Sequence, residues 1–138
     1  MGKGFHTLDH TADIGIVACG ESLAEAFSNA GRALFSVITD LESIREKEQR
    51  DIEVTASDHE SLLVGWLNEL VYLFDVEGML FRRFEIGDLG TDRLTATAYG
   101  EPFEPSRHQL KVGVKAATYH MLQVETNERS RVQVLFDI

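Results

Sequence analysis

One cysteine, two prolines and one tryptophan are found among 138 residues. A lone thiol, Cys19, cannot form an intrachain disulfide, so the fold must rest on an apolar core, and this usage suits a reducing compartment. With proline only at positions 102 and 105, the rest of the chain lacks the residue that breaks helices and strand ladders. Long apolar runs are missing too. Leu62–Phe74 is the longest nearly uncharged stretch, it contains Glu69, and it falls short of the ~20 residues a bilayer-spanning helix needs. Behind Lys3 there is no apolar run, so no secretory signal is expected, and the reading is a soluble, cytoplasmic protein with no membrane partner. The chain has no G-x-S-x-G elbow, no phosphate-binding P-loop and no G-x-G-x-x-G after a strand.

Positive charge is also scarce. Asp and Glu number 23 against 13 Lys and Arg, a formal net charge of −10. Nucleic-acid binders carry a basic face that neutralises phosphates, so direct, tight RNA binding is not expected. Cations and basic protein surfaces are the natural partners of such a surface. The plainer alternative is that the charge only keeps a small protein soluble.

What the chain does have is regular patterning. Ser22 followed by Glu25 is a capping box, and Leu23, Phe27, Ala30, Leu34 and Ile38 then recur at helical spacing. A second box at Ser57 and Glu60 opens a helix through Leu63, Trp66, Leu67, Leu70, Val71 and Phe74, with Gly78 as its stop. Leu62, Val64 and Leu73 make this helix apolar on more than one face, as a central core helix should be. Strand alternation marks Ile14–Ala18, Ile52–Ala56, Leu80–Ile86, Arg93–Tyr99, Ala117–Met121 and Val132–Phe136. Residues 87–92 read as a hairpin loop and 126–129 as a second turn, while 102–115 is broken by Pro102, Pro105 and Gly113 and could be a functional loop. The expected architecture is a single α+β domain over residues 1–138, a largely antiparallel sheet with two long helices packed on one face.

Three segments could carry chemistry. Leu8-Asp9-His10-Thr11-Ala12-Asp13-Ile14-Gly15 sets two aspartates around a histidine just before a strand. Converging carboxylates are what hard divalent cations take, although turn capping explains such aspartates more often. At the other end, Asp137 is followed by Ile138; if Ile138 is the true terminus, its α-carboxylate lies beside Asp137, and two such anions repel unless a cation or donors neutralise them. Asp13, Asp137 and the Ile138 carboxylate could then form one oxygen site. The third segment, Lys111–Met121, places Lys115 and His120 near a strand start just after Arg107 and His108, a small basic patch suited to phosphate or carboxylate contact. A structural hydrogen bond from His120 and simple charge balance by Lys115 are the plainer alternatives.

Taken together, D-H-T-A-D-I-G at Asp9–Gly15, V-K-A-A-T-Y-H at Val114–His120 and the closing V-x-V-x-F-D-I at Val132–Ile138 resemble the signature of the archease family. The resemblance covers the whole chain. It implies a non-enzymatic protein cofactor of the RtcB-type tRNA-splicing RNA ligase, a metal- and GTP-dependent enzyme, promoting its guanylylation and multiple turnover in tRNA splicing and RNA repair. It also implies a metal site on Asp13, Asp137 and Ile138, with calcium the first expectation and magnesium or manganese after it. Asp9, His10, Lys115 and His120 lie within the same motifs without an assigned role. Two rival readings stay open: a small metal-dependent phosphohydrolase using Asp13, Asp137 and His120, and a chaperone-like binding module.

Overall fold

The computed structural model describes residues 4–9 and 13–138. Its elements run β1 (Phe5–Asp9), β2 (Asp13–Gly20), α1 (Leu23–Ile38), a single 3₁₀ turn (Leu41–Ser43), β3 (Glu48–Thr55), α2 (His59–Glu77), β4 (Met79–Leu89), β5 (Arg93–Pro102), β6 (Ala116–Thr126) and β7 (Ser130–Asp137). This is the expected α+β order. The strands divide between two antiparallel sheets, ordered β1-β2-β7-β6 and β3-β5-β4, a division that alternation along single strands does not reveal. Among the described residues no helix is long and apolar enough to cross a membrane.

Capping chemistry sets the helix ends. At α1 the Ser22 hydroxyl accepts the Glu25 N–H at 3.1 Å, while the Glu25 carboxylate reaches past the cap to the Glu21 N–H. The second box sits one residue further on than its sequence suggests. Asp58, not Ser57, is the N-cap of α2 and accepts the Ser61 N–H at 2.8 Å. A carboxylate beside the positive end of a helix is the stronger acceptor, and the Ser61 bond holds the Asp58 carboxyl below its usual range. Gly78 ends α2 in the left-handed region, φ 69°, where a Cβ would be strained.

Both helices bear on both sheets, α1 against β2 and β4 and α2 against β6 and β3, so one continuous core lies between the layers. Trp66 fills its centre with its indole N–H donating to the Phe27 carbonyl at 2.9 Å, and Phe84 meets Trp66, Phe35 and Phe81 at ring separations of 5.6–6.3 Å. Burial of several such rings dominates the stability of a domain this size. Between β4 and β5, Gly100 is required: a Cβ there would stand 1.8 Å from the Leu80 carbonyl oxygen.

Two expectations are refined. β4 continues to Leu89, so the hairpin turn shrinks to residues 90–92, closed by Gly90 N–H to the Arg93 carbonyl. In β6, Ala117 is buried, but Tyr119 and Met121 do not share its face. Five steps of β6, Thr118 to Gln123, span two of β7, Leu135 to Gln133. The three extra residues form a bulge that turns Tyr119 and Met121 outward, 59% and 49% exposed, with Met121 at φ 55°.

Candidate metal centre at the tip of the first sheet

β7 is tied into the core by Val132, Val134 and Phe136, all fully buried. Its alternate residues face the other side of the sheet, and the last of these is Asp137. Antiparallel pairing sets Asp13 directly opposite Asp137, with Gly15 opposite Leu135 next along the same face. Directly opposed residues have Cβ atoms roughly 4.5–5.5 Å apart, so the two carboxylates that the sequence places 124 residues apart become neighbours. One oxygen of Asp13, Oδ1, is buried, whereas Asp137 and Ile138 are exposed, Ile138 at 42%. Like charges facing each other across a ladder destabilise the pair. That arrangement fits a cation, and its donors, carboxylate oxygens, are those that hard divalent ions prefer.

Among the described residues no three His, Cys, Asp or Glu side chains converge as a metal cluster. Of the expected ligands, Asp13 and Asp137 stand opposite each other and Ile138 follows Asp137 directly. Asp9 closes β1 opposite Ile14; its side chain and all of His10 lie outside the described residues. His6 and His10 have the four-residue spacing of a helical zinc site, but His6 belongs to a strand, where that spacing does not bring side chains together.

Lys115 reaches the tip through its backbone: its N–H donates to the Asp137 carbonyl at 2.8 Å, and its side chain is exposed. His120 stands in the β6 bulge, exposed, with its N–H on the Thr118 hydroxyl at 3.3 Å. Arg107 and His108 do not join them in a basic patch. Both are committed to Glu101, which is 2% exposed. Arg107 bonds Glu101 Oε1 at 2.5 Å, and the Arg45 N–H donates to Oε2 at 2.8 Å. His108 Nδ1 accepts the Glu104 N–H at 2.8 Å, so its Nε2 carries the proton and donates to Glu101 Oε2 at 2.8 Å. Burial pushes the Glu101 carboxyl up, but Arg107, the Arg45 N–H and His108 outweigh it and hold the group down at about 2.

The segment 103–115 is thus a fastened strap. Phe103 N–H bonds the Gly78 carbonyl, the Thr39 hydroxyl bonds the Gln109 carbonyl, and Lys111 N–H bonds the Ile38 carbonyl at 2.7 Å. Sequence reasoning missed Glu101 as the anchor. The signal available was one acid in a β-strand directly before a proline, ahead of an Arg-His pair, and it names no partner.

The comparisons with known proteins agree over the whole chain. The model of the Archease protein family (MTH1598/TM1083) matches residues 5–138. Protein archease of Methanosarcina mazei is 39% identical over 143 residues, covering 100% of this chain and 98% of that protein. Protein archease of Pyrococcus furiosus is 46% identical, covering 85% and 84%. The solution structure of Methanobacterium thermoautotrophicum protein 1598 superposes with a TM-score of 0.84 at 37% identity, covering 99% of this chain and 100% of that one. A Thermotoga maritima crystal structure, described as an archease and possible chaperone, shares the fold with a TM-score of 0.65 at 22% identity, covering 95% and 94%.

Proposed function

This chain belongs to the archease family, and we propose that it is a metal-binding protein cofactor that activates an RtcB-type tRNA-splicing RNA ligase. The observation that carries the reading is the pairing of Asp13 with Asp137 at the end of a core-anchored sheet, beside Ile138. Asp13, Asp137 and main-chain oxygen of Ile138 would hold a divalent cation, calcium first. When bound, that ion would offset the repulsion between the facing carboxylates and hold the tip in one arrangement.

The chain's own residues do the rest. Val132, Val134 and Phe136 fix β7 in the core, so Asp137 is presented from a rigid strand rather than a loose end. Lys115 N–H holds the Asp137 carbonyl and ties β6 to the tip. The bulge residues Tyr119, His120 and Met121 form an exposed rim a few residues from it, suited to meeting a protein surface. A net charge of −10 keeps the body off RNA phosphates and favours a basic protein partner. The protein would therefore act on the ligase, promoting its guanylylation and turnover, and leave RNA chemistry to it.

The test is a guanylylation and multiple-turnover ligation assay with an RtcB-type ligase from the same source. Stimulation by the wild type that is lost in a folded Asp137→Ala variant supports the proposal. An active ligase that gains nothing from the wild type, or gains equally from the variant, removes it.

A further inference from the structure

Asparagine is a poor choice for the middle of a helix, because its side chain competes with the helix for backbone bonds. Asn68 nevertheless sits midway along α2, the one side-chain amide in the apolar stretch 62–74. Its bonds leave the helix altogether. Oδ1 accepts the Ala117 N–H at 2.7 Å, and Nδ2 donates to the Ala117 carbonyl at 3.4 Å. An amide carries a donor and an acceptor side by side, as a peptide group does, so a helix side chain here takes the place of a neighbouring strand on the outer edge of β6. Ala117 is 5% exposed, and without that amide its N–H and C=O would lose both bonds in a place water barely reaches.

The part of β6 that Asn68 holds is the part beside the tip. β6 pairs with β7 in two separate pieces. Residues 123–126 meet 130–133 next to the hairpin turn, whereas 116–118 meet 135–137 at the tip, and the bulge cuts one piece from the other. The strap 103–115, which has no regular structure, leads into the second piece, so neither of its ends is continued by a regular ladder. Yet these three residues bound the tip on one side. Ala116 stands opposite Asp137, and the Lys115 N–H holds the Asp137 carbonyl at 2.8 Å. β2, with Asp13, bounds it on the other. The Thr118 hydroxyl, donating to the Leu135 carbonyl at 3.0 Å, secures the piece to β7, and Asn68 secures it to α2.

We propose that Asn68 is a positioning residue for the cation at the tip, its amide holding 116–118 against β7 so that Asp137 stands in binding geometry before the ion arrives. This role rests on the reading of the tip as a cation site and adds to it an uncharged group on α2 that acts through β6. Groups that hold metal ligands in place are commonly worth ~10–100-fold in affinity.

The test is calcium titration by calorimetry on wild type, Asn68→Ala and Asp137→Asn, each at a temperature where it is fully folded. Asn68→Ala is expected to bind about tenfold more weakly than wild type, and Asp137→Asn not measurably. Because Asn68 is uncharged, lost attraction for the ion does not enter. A merely structural role would lower the Tm and leave the affinity of the folded molecules unchanged. Coupling is reciprocal, so saturating calcium should in turn slow hydrogen exchange of the wild-type Ala117 N–H by about tenfold, and this measurement decides if Asn68→Ala does not fold. Equal calcium affinity of wild type and folded Asn68→Ala, or without that variant an Ala117 exchange rate indifferent to calcium, overturns the proposal and leaves the cation site standing. Failure of the wild type to bind calcium removes the cation site and this role with it.

Discussion

Two places in this molecule concentrate carboxylate chemistry, and they are built in opposite ways. Around Glu101 the chain brings its own counter-groups: a guanidinium, a backbone N–H and a neutral imidazole converge on one buried carboxylate. At the tip, Asp13 faces a second carboxylate, Asp137, and Asp137 makes no ion pair among the described residues. A buried charge satisfied from within serves the fold, here by fastening the 103–115 strap. Like charges set opposite each other at a surface tip disfavour the pair, and under the proposed function a bound cation relieves that repulsion. The pairing of groups, more than the number of acids, separates a structural carboxylate from a candidate site.

That comparison breaks if both regions answer alike to perturbation. The largest effect is expected for Glu101→Ala, which strands Arg107, His108 and the Arg45 N–H and should cost about 3–5 kcal/mol in urea unfolding, with or without calcium. The pH dependence should be nearly as large. The Glu101 carboxyl lies at about 2 in the fold against an ordinary value of 4.5. Because the folded value is depressed, its contribution is present above about pH 4.5 and disappears as pH falls toward 2. A shift of this size corresponds to about 3 kcal/mol. Stability of the wild type, measured over that window, should drop by about this amount more than that of Glu101→Gln.

The tip should respond to calcium instead. Wild-type protein in calcium at about 100 times its Kd should gain ~2.7 kcal/mol over the chelated form, read as a higher Tm. Asp13→Asn and Asp137→Asn should lose that gain. Without metal the same variants should be unchanged or more stable than wild type by up to ~1 kcal/mol, since a repulsion is relieved. A loss of several kcal/mol in chelator would place the tip with Glu101 as structural. Smallest of all, Lys115→Ala keeps the N–H that holds Asp137 and should stay within ~0.5 kcal/mol of wild type; a change in ligase stimulation by this variant would then report on its ammonium alone.

Much of this was legible in the sequence because the signals are local. Ser22 and Glu25 mark a helix start, Gly78 marks an end, and the apolar spacing from Leu63 to Val71 marks a core helix; each rests on contacts within a few residues. Asp58 displaced Ser57 as the cap because two adjacent residues could both serve, and only the φ and ψ of the finished turn choose between them. Tyr119 and Met121 alternate with Ala117 on paper, but the register of β6 is set by β7, and three surplus residues between Thr118 and Gln123 undo the alternation.

The chain by itself determined the α+β class, both helices, most strands and the acids at its two ends, since periodicity and capping are written in neighbouring residues. Tertiary structure decided what those acids meet. Pairing of β2 with β7 sets Asp13 against Asp137, while the strap folding back on β5 sets Arg107 and His108 against Glu101. Both outcomes depend on which distant strands and loops share the core, and that is settled by packing of the whole chain rather than by any stretch of it.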